Sequence, residues 1–159
     1  MQLHLNWNRP IPLKNGKRDA LIYTLDLEKL PTSAGVYIFG RRWGKKTKLL
    51  EAIYIGKANN IRSRVKGQLN NLRLMTRLKN KKAGQRIVMT GEFVARPGQR
   101  ASKCVALAER ALIRHFLAEG HDIVNKHGTR LRQHEIVSDG RQPKRFVRRS
   151  IYLEKTRGN

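Results

Sequence analysis

Glu109 is the residue whose type conflicts most sharply with its place in the chain. It stands four residues after Val105, three before Leu112 and four before Ile113, so on a helix its carboxylate shares the apolar face. A carboxylate there needs a cation. A basic side chain at the rim of the core would satisfy it. So would a divalent metal, because one hard oxygen ligand with waters and a substrate phosphate is a known way to hold magnesium. Arg64 lies three residues after Ile61 and one before Val65, at the border of another helix's buried stripe, where a guanidinium can point back toward a sheet. Tyr37 and Tyr54 fall in two strand-like runs; on paired strands of matched register the two phenols share a face. Packing alone accounts for such a pair, and so does a part in moving protons.

The elements that must position these groups follow from periods and breakers. Residues 1 to 8 alternate as a short strand, and Asn8 to Gly16, with Pro10 and Pro12, reads as a loop. Residues 20 to 30 fit neither period. Leu30-Pro31-Thr32-Ser33-Ala34-Gly35 is a turn into the strand Val36-Tyr37-Ile38-Phe39, and a basic loop, Gly40 to Lys48, leads to a second strand over residues 51 to 56. The two form an antiparallel hairpin with a long tip. Asn59 or Asn60 caps a helix in which Ile61, Val65, Leu69 and Leu72 recur at spacings of four, four and three, ending near Arg73. A looser segment then reaches a third strand, Arg86 to Ala95, with Gly91 as a weak point and Pro97-Gly98 as its close. Residues 101 to 119 predict the strongest helix, with Cys104 facing inward and Gly120 beyond its end. Phe146 to Leu153 is the last strand candidate. This order predicts a small sheet with helices.

Charge identifies the partner these groups would meet. Lys plus Arg number 35 against 11 Asp plus Glu, a formal charge of +24 in 159 residues, which repels itself unless the usual partner is a polyanion. Between Glu51 and Glu92 there is no acid, while Lys57, Arg62, Arg64, Lys66, Arg73, Arg77, Lys79, Lys81, Lys82 and Arg86 supply ten cations. A second cluster, Arg41, Arg42, Lys45, Lys46 and Lys48, surrounds Trp43, and a third runs from Lys126 to Arg149. Trp43 either shields the hairpin or stacks on a base. Nucleic acid ranks above an anionic membrane, since no apolar stretch reaches spanning length and the basic segments lack a broad apolar face. Neutralising about five phosphates of duplex DNA predicts a log–log salt slope of about −4 to −5. A single cysteine excludes an internal disulfide, and His115, His121, His127 and His134 show no zinc-site spacing. With no apolar signal core at the N-terminus, the expected compartment is the cytoplasm, on the nucleoid if bacterial.

Taken in order, Gly35-Val36-Tyr37, Tyr54-Ile55-Gly56, Lys57, Arg64, Glu109 and Asn125 form a set that resembles the GIY-YIG endonuclease superfamily. The first triplet stands as GVY, a common variant. The second is unchanged, and Arg64 lies ten residues after Tyr54. The stretches LPTSAGVY and YIGKANNIRSR are most similar to the nuclease domain of the bacterial excision-repair incision protein. The resemblance covers about residues 30 to 127 and implies an α+β fold, a small three-stranded antiparallel sheet flanked by helices, with N- and C-terminal extensions at 1–29 and 128–159. The latter adds a strand candidate.

What the resemblance implies is a magnesium-dependent endonuclease, with manganese as a substitute, that leaves a 5′ phosphate and a 3′ hydroxyl. Tyr37 would help deprotonate the attacking water, with Lys57 supplying nearby positive charge. Tyr54 would position water or phosphate, Arg64 would neutralise charge on phosphorus, Glu109 would hold the metal, and Asn125 would orient the site. Gln68 stands one turn after Arg64 where several relatives carry His or Tyr; it can hold water or phosphate but cannot act as a base. Contacts to nucleic acid, DNA in preference to RNA, are expected from Arg41, Arg42, Trp43, Lys45, Lys46, Gly56, Arg62, Lys66 and Gln68. Gly56 is either a turn glycine or a site of close phosphate approach. One active site cuts one strand at a time, so double-strand breaks imply a homodimer or sequential nicks, and target choice falls to the extensions or a targeting partner. The alternative is a basic nucleic-acid-binding module or ribonucleoprotein component that keeps the fold and does no chemistry.

Overall fold

Strand β5 (Gly35–Trp43) is buried from Gly35 through Arg41, as a β-branched and aromatic run must be when it has a strand on each edge and a layer on each face. In the computed structural model those neighbours are β6 (Leu49–Ala58) and β7 (Gln85–Val94), both antiparallel to it. The structure describes residues 2–17, 21–45, 49–125, 132–137 and 150–155. They fall in two compact units, Met1–Lys126 and His127–Asn159.

The N-terminal segment completes the main sheet. Strand β1 (His4–Trp7) and strand β2 (Ile11–Pro12) lie one after the other along the outer edge of β7, with Trp7 opposite Gly91 and Ile11 opposite Val88. The sheet therefore has five strands, and the expected three-stranded sheet is corrected, although the α+β class holds. The proline signal misled because an edge strand has one row of N–H groups facing outward, where a missing donor costs little. Trp7 lies over Gly91, where any Cβ would meet its indole at 3.2 Å, so the expected weak point of β7 is a packing site. Beside this sheet, β3 (Lys14–Asn15) and β4 (Tyr23–Thr24) form a two-stranded ribbon, and a 3-10 turn, Leu27–Lys29, follows. The expected loop and the ambiguous stretch thus hold short structured pieces.

The expected hairpin forms, but Gly40 to Trp43 is strand rather than loop: Arg41 pairs with Glu51 and Arg42 with Leu50 across β6. A bulge at Phe39/Gly40 shifts the register so that Ile53 is the extra residue. Ile53 and Tyr54 consequently both pack into the cluster that holds Tyr37 and Phe39.

Helix α1 (Ile61–Leu69) starts where Asn60 Oδ1 accepts from the Ser63 N–H at 3.0 Å, and it buries Ile61, Val65 and Leu69. It stops four residues short of Arg73 because Asn71 opens a second helix, α2 (Leu72–Lys79), by accepting from the Leu74 N–H at 3.1 Å. The expected looser segment is thus largely helical. Leu74, Met75 and Leu78 are its buried residues, a spacing that keeps one side of α2 on the core. Both helices pack on the Tyr37/Phe39 face. Helix α3 (Ala101–Ala118) covers the opposite face, where Val36 meets Val105 and Ala108, and Ile38 and Ile55 meet Ile113. Cys104 is buried, as expected. No helix among the described residues is long and apolar enough to cross a membrane.

The second unit contains β8 (Arg132–Val137) and β9 (Ser150–Lys155), antiparallel from Arg132 opposite Lys155 to Val137 opposite Ser150. Strand β8 has no counterpart in the sequence reading. Of the last expected strand, Phe146 to Leu153, residues 150–153 belong to β9; residues 146–149 lie outside the described residues.

Candidate active site

Successive residues of a strand alternate faces, and this divides the candidate groups. Tyr37, Tyr54 and Gly56 lie on the α1/α2 side, whereas Lys57 crosses to the α3 side and pairs with Glu109 at 3.5 Å. Glu109 is where helical spacing put it, on the buried stripe with Val105 and Ile113, its side chain 19% exposed. The cation it requires is a lysine.

On the other side, Gln68 joins the two phenols. Its Nε2 donates to Tyr37 Oη and to Tyr54 Oη, each at 3.1 Å. Its Oε1 accepts from Asn71 Nδ2 at 3.1 Å, which fixes the amide with its donors toward the tyrosines. The rings of Tyr37 and Tyr54 stack at 6.1 Å, and Phe39 meets Tyr37 edge-on at 5.9 Å. Burial, reinforced by the neighbouring Tyr54, raises the Tyr37 pKa well above the ordinary phenol value; the Gln68 donor and the Arg64 charge oppose this without cancelling it. Gly56 is neither a turn glycine nor an open approach to the backbone. It lies within β6 opposite Tyr37, and a Cβ there would come within 2.4 Å of the phenol.

A cavity of about 690 Å³ joins the two sides at the end of β6. Lys57, Asn59 and Asn60 line it from the strand end, Ser63, Arg64, Gln68 and Asn71 from the α1/α2 side, and Ser102 and Val105 from α3. Arg64 is exposed here, so its guanidinium meets solvent in the cavity while its charge still reaches Tyr37. The cavity lining carries two cations, Lys57 and Arg64, and no carboxylate, which suits an anion. Asn71 escaped the sequence reading; its signal was the Asn70-Asn71 pair, three residues after Gln68, where a helix break and an amide partner coincide.

Asn125 serves this site from the free edge of β6. Its Oδ1 accepts from the Ile55 N–H at 3.2 Å and its Nδ2 donates to the Ile55 carbonyl, so one side chain occupies both backbone groups of the residue between Tyr54 and Gly56. Val124 N–H donates to Ile53 O at 2.8 Å, and His121 Nδ1 accepts from Ala52 N–H at 2.9 Å, continuing the cover.

Several expected nucleic-acid contacts have structural work instead. Arg41 is buried, bonded to Glu51 and to the Ala83 carbonyl, and lies 4.1 Å from the Trp43 ring centroid. Trp43 thus stacks on an arginine of its own chain. Arg62 donates to the Leu30 carbonyl at 3.0 Å and to Glu28, fastening α1 to the 3-10 turn. Arg42 bonds Gln85 at 2.7 Å. Lys45 and Lys66 are exposed, and Lys46 lies outside the described residues, as do Lys48 and His127. Among the described residues no three His, Cys, Asp or Glu come together, so a metal at Glu109 would have one carboxylate and would draw its other ligands from water and substrate. No family model, curated protein or solved structure matches the chain.

Proposed function

We propose that this chain is a GIY-YIG-type endonuclease that hydrolyses phosphodiester bonds of nucleic acid, DNA in preference to RNA, leaving a 5′ phosphate and a 3′ hydroxyl. The observation that carries this reading is the Gln68-linked pair, Tyr37 and Tyr54, beside a cavity whose charged lining residues are Lys57 and Arg64, with Glu109 bonded to that same Lys57. Arg64 meets the phosphate and the charge that grows on it. Tyr37, whose pKa burial raises, fixes the pair; half-buried Tyr54 places the water or phosphate. Asn125 is a positioning residue, acting through the backbone of β6. Glu109 would be the one carboxylate holding a magnesium or manganese ion, in exchange for its ion pair with Lys57, and the ion would supply positive charge to the reacting phosphate. The working compartment on this reading is the cytoplasm.

The lysine already neutralising Glu109 and the raised Tyr37 pKa favour one second reading, a module that binds and does not cut. Purified protein incubated with labelled single-stranded, duplex and branched DNA and RNA, in magnesium, manganese or chelator, separates the two. Cleavage that requires metal and disappears in Glu109→Ala, with binding retained because Lys57 is freed rather than lost, is the expected result. Binding without cleavage under every condition would establish the second reading.

A further inference from the structure

The ten cations of the acid-free tract are not equivalent once the chain is folded. Four have partners within the protein. Lys57 pairs with Glu109, Arg62 with Glu28, and Lys81 with Glu51 and Asp122, while Arg86 donates to the carbonyls of Leu78, Lys79, Lys81, Lys82 and Gly84 at the end of α2. Arg64 lines the cavity. The remaining five, Lys66, Arg73, Arg77, Lys79 and Lys82, are exposed, and none of their side chains has a hydrogen-bond or ion-pair partner among the described residues. Four of these belong to α2 and the turn just beyond it.

On α2, Arg73 and Arg77 are four residues apart and so lie one turn apart, about 6 Å, on one side of the helix. The buried Leu74, Met75 and Leu78 occupy the other side. The helix begins immediately after Asn71, which lines the cavity, so the row of cations starts at the cavity's rim. A second feature narrows the ligand. Helix α2, LRLMTRLK, has no Phe, Trp, Tyr or His, so its own exposed side offers no ring on which an unpaired base could stack. Single-strand binders combine basic grooves with such rings, whereas a duplex hides its bases and presents phosphates.

We infer that the exposed side of α2 is the docking surface for the phosphate backbone of a double-stranded nucleic acid whose scissile region enters the adjoining cavity. The inference rests on the proposed function for what happens in the cavity, but the docking itself needs no cleavage. It replaces the β5–β6 cluster, whose Arg41 is internal, as the main phosphate contact.

The test is equilibrium binding to a labelled duplex and to one of its strands, in chelator, across a range of salt. Arg73→Gln/Arg77→Gln is compared with Arg96→Gln/Arg110→Gln, an equal loss of charge at other exposed sites. Two lost phosphate contacts should lower the duplex salt slope by about 1.8 and the affinity at 0.1 M salt by about 60-fold. The Arg96/Arg110 variant should keep the wild-type slope, and Arg73→Lys/Arg77→Lys should largely restore it. DNA and RNA duplexes in parallel arms identify the preferred backbone. An unchanged slope in the α2 variant, an equal fall in the control, or tighter binding to the single strand would each overturn the inference. Those results would leave metal-dependent cleavage standing, and absence of cleavage would leave the slope measurement standing.

Discussion

Replacing Gly56 by alanine isolates the contact on which the phenol pair is built. In an ordinary strand the exchange stabilises by about 0.5–1 kcal/mol, because glycine loses the most backbone freedom on folding. Here the new Cβ would come within 2.4 Å of Tyr37 Cζ and Oη. The ring cannot swing aside freely: it is 1% exposed, braced by Phe39 and Tyr54, and bonded to Gln68. Overpacking of this kind costs about 1–3 kcal/mol, so after the backbone gain the net loss should centre on about 1 kcal/mol, or about 2–4 °C in Tm at this chain length. Urea and thermal denaturation followed by tryptophan fluorescence measure it, with Tyr37→Leu and the double variant completing a cycle. Removing the ring should abolish most of the alanine's cost. Equal or higher stability in Gly56→Ala, or strict additivity with Tyr37→Leu, would refute the placement of the phenol over Gly56.

Three further expectations concern other parts of the same framework. Burial first, then Tyr54, raises the Tyr37 pKa in the folded protein, so its neutral form stabilises fully below about pH 10 and that contribution fades as pH rises further. Tyr37→Phe should flatten the alkaline fall in stability relative to wild type, and parallel curves would show that the phenol titrates normally. Arg86→Ala removes the donors to five carbonyls around the end of α2 and should cost about 2–4 kcal/mol by denaturation, given about 1.5–3 for a charged hydrogen bond and incomplete additivity. Asn125→Ala exposes both backbone groups of Ile55 and should cost about 1–2 kcal/mol; faster amide exchange at Ile55 than at Ile38 in the sheet interior is the local signature.

The hairpin of β5 and β6, the Asn60-capped helix and the long α3 were legible because each rests on local patterns: β-branched runs, a capping amide, and apolar residues at helical spacing. The same locality made Glu109 stand out, since a carboxylate among Val105, Leu112 and Ile113 needs no partner to be recognised as anomalous. The N-terminal strands were hidden because pairing with β7 joins residues more than 70 positions apart, and the prolines that signal a loop are tolerated at a sheet edge. Helix α2 was obscured by a dense basic composition and by an Asn70-Asn71 break read as helix continuing.

The chain alone determined the large excess of positive charge, the placing of Tyr37 and Tyr54 on neighbouring strands, and that of Glu109 among apolar residues, because charge totals and side-chain periods are properties of local order. Which cation meets which acid was decided only by the tertiary structure. The pleat of β6 sends Lys57 to Glu109 while keeping Tyr54 on the opposite side, and the fold uses Arg41, Arg62 and Arg86 to satisfy its own carboxylates and carbonyls. A desolvated polar group takes the partner that the packed chain brings within reach, so the cations left to solvent are those for which folding provides no internal acceptor.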